Sequence, residues 1–102
     1  MNSRTPEGAL KSAAIQLLRA NGFYVRIIAV GAIPGRTNPS KGMADCVAVR
    51  NGRVIMIEFK SPKGKLSAEQ HDFLLQWAHH GGEAFVIRSI DEMIRCIRQR
   101  PV

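Results

Sequence analysis

Asp45, Glu58 and Lys60 are the residues of this chain best suited to chemistry, because one short hairpin carries all three to a single spot. Residues 44–50 and 53–60 read as two strands, joined by Asn51-Gly52, the strongest short-range signal for a two-residue type I′ turn. That loop sets the register: Arg50 opposes Arg53, Val49 opposes Val54, Val47 opposes Met56, and Asp45 is expected to oppose Glu58. Directly opposed side chains stand about 5 Å apart, so two carboxylates in such a pair repel. Strand alternation puts Lys60 on the face of Glu58. Two acidic groups and a lysine in an otherwise apolar hairpin suit a hard divalent cation, Mg²⁺ or Mn²⁺.

The elements around the hairpin bring further polar groups towards it. Thr5-Pro6 reads as an N-cap followed by proline in the first turn. Leu10, Ala13, Ala14, Leu17 and Leu18 then give the spacing of an amphipathic helix, which Asn21-Gly22 closes. Glu7 falls on the edge of that stripe, either as a surface charge favoured by the helix dipole or as a functional group. Residues 23–30 predict a β-branched strand covered on both faces. The punctuated segment from Gly31 to Gly42 follows, and its Arg36 and Lys41 suit contacts to a phosphate backbone.

Beyond the hairpin, Ser61-Pro62-Lys63-Gly64-Lys65 is a basic turn. Ser67-Ala68-Glu69-Gln70 is a capping box opening a helix whose apolar face carries Phe73, Leu74, Trp77 and Ala78. Gln70 heads that face, as the capping partner or as part of a site. His79-His80-Gly81-Gly82 closes the helix, and residues 83–88 form a last strand. Ser89-Ile90-Asp91-Glu92 is a second capping box, opening a helix that Pro101 ends. The predicted order is α-β-β-β-α-β-α, an α/β domain with a mixed sheet flanked by helices.

Composition narrows the function classes. At 102 residues the chain fits one domain, spanning 1–102, with 45% hydrophobic and 23% charged residues. With 15 Lys and Arg against 8 Asp and Glu, the formal charge is +7, which points to a polyanionic partner and first to nucleic acid. No run approaches the length of a membrane span, and the first residues lack the apolar core of a secretory signal, so a cytoplasmic protein is expected. Cys46 and Cys96 are widely spaced and read as reduced core residues rather than a disulfide or a zinc site.

Taken together, Gly42-Met43-Ala44-Asp45, the hairpin, Glu58-Phe59-Lys60, Gly64-Lys65-Leu66-Ser67 and Gln70 resemble the VRR-NUC branch of the PD-(D/E)XK nucleases. The resemblance runs from Glu7 to about Ile94. It implies a small restriction-endonuclease-like fold and metal-dependent hydrolysis of DNA phosphodiesters. Asp45 and Glu58 would be metal ligands for Mg²⁺ or Mn²⁺, with the Phe59 backbone carbonyl beside them. Lys60 would be the catalytic lysine, Glu7 and Gln70 supporting residues of the site, and Arg36, Lys41, Lys63 and Lys65 DNA contacts. Many relatives carry proline before the aspartate where this chain has Ala44; that proline shapes backbone and supplies no ligand. Small stand-alone members are similar to virus-encoded homodimers that cut four-way (Holliday) junctions. The resemblance therefore implies a homodimer acting on branched DNA in a bacterial or virus-infected cell. The charge alone would also serve a non-catalytic DNA-binding module, which divalent-dependent nicking distinguishes from a nuclease.

Overall fold

A computed structural model describes residues 5–28 and 42–99 of the chain. Its elements run α1 (Pro6–Ala20), β1 (Tyr24–Ile27), β2 (Cys46–Arg50), β3 (Arg53–Phe59), α2 (Ala68–His79), β4 (Glu83–Ile87) and α3 (Ile90–Arg98). The predicted element order and the mixed α/β class are both found. The strands lie in the order β1-β2-β3-β4; the first two junctions are antiparallel, and β4 joins β3 in parallel after the α2 crossover. Arg36 and Lys41, the end of the strand read through Val30, and Pro101 lie outside the described residues.

The hairpin register is the one the turn demands, with Arg50 opposite Arg53, Val49 opposite Val54 and Val47 opposite Met56. Asn51 and Gly52 both take positive φ, 49° and 82°, as a type I′ turn requires. The opposed arginines are separated by different partners. Arg50 donates to the Asn21 carbonyl and sits 4.4 Å over the Phe23 ring. Arg53 is buried and makes a forked pair with Glu83 at 2.9 and 3.0 Å, tying the start of β3 to the start of β4.

One sheet face packs against α1 and α3. Cys46, Ala48, Ile55, Ile57, Phe59 and Ile87 meet Ala14, Ile15, Leu18, Met93, Cys96 and Ile97 there in a single core, and both cysteines are buried and free. The stripe on α1 is shifted from the sequence reading: Ile15 is buried and Ala13 is exposed. The larger apolar side chain gains more from burial and rotates the helix towards itself. The first strand is also shorter and less covered than predicted. Of β1 only Val25 is buried, and Tyr24 and Ile27 are 63% and 44% exposed, because β1 is an edge strand with one neighbour.

The other face carries Val54, Met56 and Glu58, since their neighbours in sequence point to the core. The α2 helix covers part of it beside β4, but no residue of α2 is fully buried; Phe73, Leu74 and Trp77 are half-covered and Ala78 is exposed. Both sequence-predicted N-caps on serine are present. Ser67 and Gln70 form a full capping box, whereas Ser89 accepts from the Glu92 amide and Glu92 accepts from Arg88 N instead of returning the bond.

Gly42 joins the approach to Asp45 with the first turn of α2. Its φ is +85°, and a Cβ there would meet the Glu69 Cβ at 2.7 Å and the Glu69 backbone at 2.9 Å. Gly52 has a similar φ of +82° with nothing within 4 Å. Gly42→Ala is therefore expected to cost about 1–3 kcal/mol more than Gly52→Ala, since only the first adds overpacking to backbone strain. Urea denaturation of the two variants against wild type measures that difference.

Candidate active site

Asp45 stands one residue before β2, at a bend where the ladder of the hairpin gives way to side-chain bonding. Its Oδ2 accepts from the Phe59 amide at 2.8 Å, and its backbone carbonyl accepts from the Ile28 amide at 2.8 Å. The aspartate is thus pinned between the end of β3 and the residue following β1. The expected opposition to Glu58 holds in substance, although Asp45 has left the regular strand pairing.

Glu58 is only 3% exposed, and with Arg53 it makes up the buried charged residues among those described. Its Oε1 accepts from Gln70 Nε2 at 3.1 Å and lies 4.0 Å from Lys60 Nζ. Burial is the main force on its acidity. The Asp45 charge and a side-chain hydrogen bond with Asp45 act in the same direction and Lys60 opposes them, leaving the Glu58 pKa near 8 against an ordinary 4.5. Glu7 adds a smaller push in the same upward direction, so the first turn of α1 is within electrostatic reach of Glu58. With no cation bound, Glu58 is pushed towards its neutral form, which lessens the repulsion from the Asp45 charge.

Gln70 fills both roles that the sequence left open. Its Oε1 accepts from the Ser67 amide at 2.9 Å, closing the capping box, while its Nε2 donates to Glu58. One residue both starts α2 and anchors the helix to the site.

Lys11 was missed by sequence reasoning. Its Nζ lies 3.3 Å from Asp45 Oδ1. A signal was present: Lys11 is one turn beyond Glu7, and counting on by three and seven leads to Ala14 and Leu18, both buried. Glu7 and Lys11 head the true core stripe of α1, which the Ala13-centred reading had displaced.

The basic turn after Lys60 is held from beneath. Arg88 donates to the Ser61 and Gly64 carbonyls at 2.7 Å each, and Gly64 N donates to Ser61 O at 3.0 Å. Lys63 and Lys65 are exposed on that anchored segment. Among the described residues, one surface cleft runs along β4 and α3 beside Phe85, Ile87, Arg95 and Gln99.

Among the described residues no three His, Cys, Asp or Glu side chains converge as a metal cluster. Two carboxylates do, and Mg²⁺ is commonly held by one or two protein carboxylates with water completing its shell. The donors present, two carboxylates offering oxygen only, fit a hard divalent ion.

A family model described as the VRR-NUC domain matches residues 35–91, which include Asp45, Glu58, Lys60 and Gln70. A solved structure titled "VRR_NUC domain" superposes with a TM-score of 0.74 at 22% sequence identity, covering 95% of this chain and 99% of its own. That likeness shows the fold. No curated protein matches the chain.

The raised pKa of Glu58 sets a pH dependence. Its folded pKa lies above the unfolded 4.5, so stabilisation by the neutral acid is complete below about 4.5 and is lost as pH rises through about 8. The melting temperature of the metal-free protein is expected to fall across that window, and Glu58→Gln, which keeps the neutral shape, to flatten the fall. Thermal melts at a series of pH values in the presence of a chelator check both; a parallel decline in the variant would refute the assignment.

Proposed function

This chain belongs to the VRR-NUC domain family, a nuclease-type domain that acts on DNA, and we propose that it is a Mg²⁺- or Mn²⁺-dependent endonuclease of branched DNA. The observation that supports this best is the meeting of Asp45, Glu58, Lys60 and Gln70 at one end of the hairpin, with Asp45 and Glu58 close enough to share a proton. In this reading residues 1–102 act as one nuclease domain.

Asp45 and Glu58 would hold the cation, with the Phe59 carbonyl beside them. When bound, the ion supplies Lewis acidity towards the scissile phosphate and a water of lowered pKa. Glu58 would hold the ion as the carboxylate, its proton passing to solvent, and the Gln70 amide would keep that carboxylate aimed. Lys60 places a positive charge beside Glu58, where it orients the attacking water or stabilises charge developing on the phosphate. Glu7 lends negative potential from the start of α1. Lys63 and Lys65 meet phosphates on the segment that Arg88 anchors, and Arg36 and Lys41 serve as further DNA contacts in this reading. Buried, unpaired Cys46 and Cys96 fit work in a reducing cytoplasm.

Asp45→Asn, Glu58→Gln and Lys60→Ala are each expected to lower cleavage at least about a hundredfold while DNA binding changes little, because removing a cation ligand or a transition-state charge acts on chemistry. Cleavage and gel-shift assays on one labelled junction separate the two, and wild-type cutting by any of the three would overturn the site. A basic DNA-binding module would bind without cutting in any divalent ion.

A four-way junction has two symmetric strands to cut, and one chain offers one site, so a homodimer with C₂ symmetry matches the substrate. Junction DNA is expected to be nicked in preference to linear duplex of the same sequence, with light scattering showing two chains per junction. A monomer on the junction, or equal cutting of both substrates, would remove the junction reading and leave the nuclease reading in place.

A further inference from the structure

Lys11 lies against the site, yet nothing in the chemistry above uses it. Its ammonium is 3.3 Å from Asp45 Oδ1, and the other oxygen of Asp45 is taken by the Phe59 amide at 2.8 Å. Oδ1 is therefore the oxygen with which Asp45 can meet an incoming cation, and Lys11 already sits on it. The Lys11 and Asp45 side chains are only 22% and 24% exposed, so solvent and salt screen the pair less than a surface pair. Lys60 stands similarly by the other carboxylate, 4.0 Å from Glu58.

The placement of Lys11 is built into the core. Ala14, Ile15 and Leu18 fix the rotation of α1, and the same face carries Lys11 and Glu7 out to the end of the hairpin. The tether is flexible where it needs to be, since a lysine ammonium rides on a four-carbon stem and moves without disturbing the helix.

The geometry points to Lys11 as the resident counter-cation of Asp45: it occupies Oδ1 in the metal-free protein and must yield that oxygen to the divalent ion. This rests on the reading of Asp45 and Glu58 as cation ligands and adds a competitor to it. The measured affinity for the ion is then the intrinsic affinity reduced by the cost of displacing Lys11. A purely structural tether would have the opposite effect, because its loss would leave Asp45 misaimed and weaken binding.

The test is calorimetric titration of Mn²⁺, with no DNA present, into wild type, Lys11→Met and Lys11→Arg. Lys11→Met keeps length and removes charge, and is expected to bind Mn²⁺ about three- to tenfold more tightly, the size of one partly buried ion pair removed from the competition. Lys11→Arg should return the affinity to near wild type, and the rise in melting temperature with Mn²⁺ should be largest for Lys11→Met. If Lys11→Met fails to fold, Lys11→Gln carries the same expectation. Wild type that takes up Mn²⁺ while the neutral variants bind it no better, or less well, overturns the role of Lys11 alone. Absence of Mn²⁺ uptake by every protein in the series overturns the cation-ligand reading and this inference with it.

Discussion

Glu58 is a carboxylic acid withdrawn from water beside a second carboxylate, and much of the surrounding structure is organised by that constraint. An ionised group in this position is tolerated only with partners, since burial without them costs several kcal/mol. Three elements contribute the partners. The α2 helix supplies the Gln70 amide, the residue after β3 supplies Lys60, and the Asp45 carboxylate beside them favours the neutral form of Glu58. Asp45 in turn is held by the Phe59 amide and Lys11. The metal-free site is thus a closed set of paired groups, with its electrostatic need met by protons and ammonium groups.

What could be read from the sequence was local. Asn51-Gly52 determines register by backbone sterics alone, so the convergence of Asp45, Glu58 and Lys60 followed from counting residues. The caps at Thr5, Ser67 and Ser89 were equally legible, because each depends on residues within one turn. What escaped depends on packing between distant segments. Lys11 reaches Asp45 across 34 positions, and Arg88 reaches Ser61 and Gly64 across 27 and 24. The rotation of α1 that exposes Ala13 and buries Ile15 is decided by the sheet beneath it. The exposure of β1 follows from its place at the sheet edge, which strand propensity does not encode.

The strongly basic composition also divides by residue type once its partners are known. Arg19 donates to the Val25 carbonyl, Arg50 to Asn21, Arg53 to Glu83 and Arg88 to the turn after Lys60. These planar forks brace the backbone and join elements, a use to which guanidinium is well suited. The exposed Lys63 and Lys65 have simpler surroundings on a segment that an arginine has already fixed. Net charge alone therefore overstates the cationic surface open to a polyanion.

The double engagement of Gln70 also determines which end of its amide meets Glu58. Because the amide oxygen must face the Ser67 N–H to complete the cap, the amide cannot flip, and Glu58 Oε1 always meets an NH₂ group. The Lys60 ammonium stands 4.0 Å from the same oxygen, adding a positive charge to the amide contact. Burial and the neighbouring Asp45 carboxylate favour the neutral form of Glu58 at this place. Exchanging the two ends of that amide would break both bonds at once, so the cap of α2 and the orientation of a carboxyl group twelve residues away depend on the same side chain.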